Sequence, residues 1–163
     1  MMKRYPILLV LVLGLFLVLG CEEATDDDDD DVTADPWVGL WLSTGENVAP
    51  ILVTYFQYDS VEVTFNEDAT VVLRSHAAGG AWTENTGTYT ITESDASEID
   101  VIHIEYTSPA FVQDGIIQID GDDMTLEAVQ TDPSIGATVP TVAVGFGNDP
   151  LLGATNVQRY VRQ

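Results

Sequence analysis

The chain has 163 residues, 27 Asp and Glu against 5 Lys and Arg, a single cysteine and a formal charge of -22. That length suits one domain, and the charge excludes a nucleic-acid binder, because phosphate contacts need clustered cations and only Arg74, Arg159 and Arg162 lie beyond residue 4. One cysteine also excludes an intrachain disulfide framework and a cysteine-rich zinc site.

In chain order, residues 1–20 read as an export signal peptide: Lys3 and Arg4 form a positive start, and Ile7 to Leu19 is apolar apart from Gly14. The run has the length of a signal-peptide core and is short for a membrane-spanning helix. It ends in Val18-Leu19-Gly20-Cys21, which resembles the lipobox of bacterial lipoproteins. The resemblance implies that Cys21 is lipidated by palmitate-like acyl chains and becomes the mature N-terminus. It also implies a lipid-anchored protein of the cell envelope, with the outer membrane favoured because Glu22, not aspartate, follows the cysteine. Two or three acyl chains, each adding about 0.8 kcal/mol per buried CH₂, hold a protein on a membrane without a spanning helix.

Residues 21–36 follow as an acidic tether. Glu22 to Asp35 carries nine carboxylates in fourteen residues. Such a segment buries too little apolar area to offset chain entropy, and its like charges extend it, so a solvated spacer reaching at most about 45–50 Å is expected. A calcium-binding reading is weaker, because known acidic calcium loops alternate ligands with glycine turns and Asp26 to Asp31 is homopolymeric.

From residue 37 onward the apolar period is two. Val61, Val63 and Phe65 alternate with Glu62 and Thr64, Tyr89 and Ile91 with threonines, and Met124, Leu126 and Ala128 with Thr125 and Glu127. Turn signals at Asn66-Glu67-Asp68, Glu93-Ser94-Asp95 and Gly121-Asp122 separate strands at Thr70 to His76, Ile99 to Tyr106, Ile116 to Ile119 and Met124 to Val129. Further strands are expected near Val38 to Leu42, Ile51 to Gln57 and Val157 to Val161, and no helix. About eight short-linked strands predict an all-β domain, 37–163, built as an antiparallel up-and-down barrel; a β-sandwich satisfies the same periodicity.

The order of the motifs adds a second resemblance. Trp37-Val38-Gly39-Leu40-Trp41 opens the domain, Val63 to Thr70 makes one hairpin, and Gly87-Thr88-Tyr89 starts a strand. Ile119 to Leu126 makes a second hairpin, and Gln158 to Arg162 closes the chain. This series resembles the lipocalin-like, calycin-type domains of bacterial lipoproteins, over most of residues 37–130 and 157–162. It departs from them at Ala69, where the family often has glycine, and between Asp132 and Asn156. The resemblance implies that Trp41 packs at the closed end of the barrel against an arginine of the last strand, Arg159 or Arg162, as a structural pair, and that aromatic side chains line an apolar cavity. Tyr55, Phe56, Tyr58, Trp82, Tyr89, Tyr106 and Phe111 are the candidates. The alternative is a flat sugar-stacking or protein-binding strip on a sandwich face, and a third reading is an envelope-assembly role without a ligand.

The 25 residues from Asp132 to Asn156, with Pro133, Pro140 and Pro150, are long for a connection. An extra edge strand or a packed insertion is expected, with a lid over the barrel mouth as the alternative. No nucleophile elbow, zinc-protease helix, phosphate loop or dinucleotide fingerprint is present. His76 and His103, the two histidines, fall on predicted strands as ordinary strand positions. No catalytic residue, enzymatic activity, metal or cofactor is therefore expected, and the scarcity of cations points to a neutral or cationic apolar ligand.

Overall fold

The computed structural model describes residues 34–163; the expected signal segment, Cys21 and most of the acidic tether lie outside the described residues. Period-two alternation forms strands β1 (Gly39–Thr44), β2 (Tyr58–Phe65), β3 (Thr70–Ala77) and β4 (Trp82–Thr92). The second half supplies β5 (Asp100–Thr107), β6 (Ala110–Asp120), β7 (Asp123–Asp132) and β8 (Gln158–Arg162). Every neighbouring pair is antiparallel, and the sheet closes where Trp41 and Leu42 of β1 pair with Arg162 and Val161 of β8. The fold is thus an eight-stranded up-and-down barrel, which leaves no open sheet edge; the sandwich alternative is excluded.

The inward residues follow from the alternation. Val61, Val63 and Phe65 on β2, Val71 on β3, Ile102 and Ile104 on β5 and Met124 on β7 are buried and form the core with Trp41, Tyr89 and Ile117. Neighbouring strands approach closely at two glycines. A Cβ at Gly87 would stand 2.1 Å from the Glu105 carbonyl oxygen, and one at Gly115 2.1 Å from that of Glu127, so neither strand could approach its neighbour with a side chain there.

One expectation needs correction. Ile51 to Gln57 is not a strand: Pro50–Phe56 is a helix, α1, so the domain is not free of helix. A short apolar run cannot separate strand from helix by periodicity. The deciding local features are Pro50 in the first turn, where its missing N–H costs nothing, and Gln57, whose left-handed φ of 57° ends the helix while its N–H bonds the Leu52 and Val53 carbonyls. Of the two readings expected for 132–156, the packed insertion is found and the edge strand is not. The insertion packs on the outside of the barrel, where Glu127 Oε2 accepts from the Gly147 N–H at 2.6 Å and the Ala128 carbonyl accepts from Asn156 Nδ2 at 2.9 Å. That cover is why Ile116, Glu127 and Val129 are buried although they alternate with the inward residues of β6 and β7. Among the described residues no helix is long and apolar enough to cross a membrane.

Candidate functional site

The two ends of the barrel differ. At the end that holds the β2–β3, β4–β5 and β6–β7 turns, the chain enters through Pro36 and Trp37, and Arg162 closes the structure. Its guanidinium carbon lies 4.1 Å from the ring centroid of fully buried Trp41. Its Nη1 donates to the Val38 carbonyl at 2.8 Å, and its Nη2 donates to that of Pro36. Trp41 in turn donates its indole N–H to the Trp37 carbonyl at 2.8 Å. Of the two arginines named from sequence it is Arg162 that makes the pair; Arg159, which alternates with buried Gln158 and Tyr160, points outward and is exposed. Tyr89 belongs to this end as well, edge-on to Phe65 at 4.8 Å with its hydroxyl donating to the Asn66 carbonyl.

The opposite end is not filled. A cavity of about 250 Å³ opens between the strands and α1, whose residues Leu52 and Phe56, one turn apart, line it. Tyr58, Tyr106 and Phe111 line it, with Phe56 stacked on Tyr58 at 5.5 Å and Tyr106 on Phe111 at 4.3 Å. Four of the seven aromatics proposed from sequence, Phe56, Tyr58, Tyr106 and Phe111, therefore meet on this wall. The other three do not. Tyr55 points away from it on the outer side of α1 and is 76% exposed; Trp82 lies on the barrel exterior beside Arg74 and His76; and Tyr89 is at the closed end. The reasons are local: a helix in place of a strand reverses Tyr55, and Trp82 pairs in register with outward-facing His76.

Sequence reasoning missed the polar part of the wall. Asn85, Gln113, Gln130, Asn156 and Gln158 all line the cavity. A signal was present, since Gln113 is in phase with Phe111, Gln130 with Ala128 and Gln158 with Tyr160, so that each carboxamide occupies an inward position of its strand. Gln158 is anchored: its Oε1 accepts the Ala49 N–H at 2.7 Å just ahead of α1, tying β8 to the helix. The wall carries no ionisable side chain other than tyrosine. Burial pushes the phenols of Tyr106 and Tyr160 well above the ordinary tyrosine value, so both stay neutral.

The histidines lie apart from the cavity and from each other, on strands as expected. His76 Nδ1 is 2.6 Å from Asp59, and His103 Nδ1 is 2.7 Å from Asp114, with its Nε2 3.3 Å from Glu105. The hydrogen bond to Asp114, and then that to Glu105, raises the His103 pKa, while the Asp114 carboxyl is held below the usual carboxylate range by His103 and then Thr131.

Comparison of the chain with protein-family models, with curated proteins and with solved structures returned no match.

Proposed function

We propose that this chain is an exported, lipid-anchored envelope protein whose lipocalin-like barrel, residues 37–163, binds a small apolar molecule at its open end. The observation that carries the binding part is the cavity of about 250 Å³ behind α1, in a barrel whose other end is sealed by Trp41 and Arg162. Eight strands enclose an interior just wide enough to be filled by side chains or to hold one small ligand, and here the filling is incomplete. A 150 Å³ apolar cavity takes one benzene, so this one has room for roughly ten heavy atoms. The anchor rests on the sequence: the charged start, the apolar run and Gly20-Cys21.

Mass spectrometry of small molecules extracted with the native protein from membranes tests the binding. A stoichiometric compound that is lost when Val63 is enlarged to Trp to fill the cavity is the expected result; a protein that carries nothing above blank and binds no probe overturns it. For the anchor, Cys21→Ser is expected to abolish fatty-acid labelling and release the protein from the membrane fraction. Retained labelling and membrane attachment would refute it.

A further inference from the structure

The cavity wall is selected in composition. The described residues, 34–163, hold 19 carboxylates, 3 Arg and 2 His, and none of these side chains lines the cavity. They hold 11 Asn and Gln, and five of them line it. A barrel interior needs no carboxamides for stability, because each buried amide must find partners or cost free energy, and the sealed end of the same barrel is packed with Trp, Phe, Val, Ile and Met instead.

The partners of these amides divide them. Gln130 Nε2 donates to the Pro133 carbonyl and Asn156 Nδ2 to that of Ala128, so both are spent on holding 133–156 to the barrel. Gln158 is different. The Ala49 N–H fixes which end of its amide is oxygen, and the remaining Nε2 is buried without a hydrogen-bond partner. The residue is only 5% exposed and stands on the cavity wall. An unsatisfied buried donor is rare and costly enough to call for an explanation.

We infer that the cavity selects uncharged molecules of about ten heavy atoms, apolar in body, whose carbonyl or hydroxyl oxygen accepts a hydrogen bond from the side-chain amide of Gln158. This rests on the binding role proposed above and narrows it. Tyr106–Phe111 and Phe56–Tyr58 supply flat apolar faces for the body of such a molecule. The uncharged wall offers no counter-ion to a carboxylate or an ammonium group, and an unpaired charge is excluded from such a site far more strongly than a neutral polar group.

Three probes of one shape separate the possibilities: 2-adamantanone, adamantane and 1-adamantanecarboxylate. Binding is measured by equilibrium dialysis of the full lipidated protein in phospholipid nanodiscs, with lipid-only nanodiscs as blank. The ketone is expected to bind about tenfold more tightly than the hydrocarbon, the worth of one buried hydrogen bond that also satisfies an orphaned donor, and the carboxylate not measurably. Gln158→Met is expected to erase the preference for the ketone and leave hydrocarbon binding in place. Because this variant also strips the acceptor from the Ala49 N–H, its folding is checked by near-ultraviolet circular dichroism, and the comparison of the three probes on the unaltered protein stands whether or not it folds. Equal binding of ketone and hydrocarbon, a preference that survives in folded Gln158→Met, or tight binding of the carboxylate overturns the inference and leaves the cavity as a binding site. Failure of all three probes to bind overturns the binding role itself.

Discussion

Replacing Arg162 with alanine removes the group that ties the last strand to the segment leading into β1 at the sealed end. Its guanidinium stacks at 4.1 Å on Trp41, a ring with no solvent exposure, a setting in which a cation–π contact is worth roughly 1–2 kcal/mol. It also satisfies the Val38 and Pro36 carbonyls, and a hydrogen bond involving a charged group contributes about 1.5–3 kcal/mol when well buried and less at this partly exposed position. The pair with Asp122 at 3.5 Å adds little, since Asp122 is 82% exposed. Because these contacts share one side chain they do not add in full, and the loss for Arg162→Ala is about 3–4 kcal/mol. Arg162→Lys keeps a cation but not the planar fork, and is expected to lose about half as much. Urea unfolding followed by tryptophan fluorescence reads the effect, with an unchanged m-value showing that stability alone has moved. Arg159→Ala, at an exposed position on the outer face of the same strand, is the control and is expected to stay within about 0.5 kcal/mol of the parent. A loss below about 1 kcal/mol for Arg162→Ala, or an equal loss for Arg159→Ala, would refute the assignment of the pair.

Three further outcomes follow from other sites. Ala69 sits at φ 62°, after the turn that the Asn66 carbonyl closes by accepting the Ala69 N–H at 3.1 Å. A left-handed residue with a Cβ costs roughly 1–2 kcal/mol, against which glycine's extra unfolded-state entropy is smaller, so Ala69→Gly should raise stability by about 0.5–1 kcal/mol in thermal or urea unfolding; destabilisation would contradict it. Glu127 is fully buried with Oε1 unpaired, and burial raises its pKa. An acid raised in the folded state opposes folding once pH exceeds its unfolded value, so Glu127→Gln should be more stable than the parent at pH 8, with the advantage vanishing as pH falls below the ordinary glutamate range. His103 shows the opposite sign. Its raised pKa gives stability that is complete below the unfolded histidine value and disappears as pH rises through the folded one. His103→Gln should therefore destabilise more at pH 5.5 than at pH 9, and an effect independent of pH would show that the Asp114 contact does not depend on charge.

Much of the barrel was legible in the sequence because strand alternation is a local property. The runs around Val63, Tyr89 and Leu126 state their inward faces by themselves, and Asn66 to Ala69 and Gly121-Asp122 state their turns. The family resemblance narrowed the expected Trp41 partner to two arginines. It could not choose between them, because Arg159 and Arg162 point to opposite faces of β8 and the choice depends on the register that closes the barrel, Trp41 against Arg162. The same dependence on long-range pairing limited the site. Tyr58, Tyr106 and Phe111 were nameable as aromatics, but that they share a wall while Trp82 lies outside is decided by strands paired around the ring.

What the sequence determined by itself is what short-range physics controls: the apolar run and acidic run at the start, the strand period, and an excess of carboxylates. What only the tertiary structure decided is where packing fails to reach completion. The helix at Pro50–Phe56 forms over one end because Pro50, Gln57 and the Gln158 amide hold it there. The insertion at 133–156 covers the outside of β6 and β7, burying Glu127, and does not extend the sheet. The five carboxamides of the cavity come from positions as far apart as Asn85 and Gln158. An inward glutamine on one strand looks like an exception to the alternation, and only barrel closure, which sets several such exceptions face to face around an unfilled space, turns them into a site.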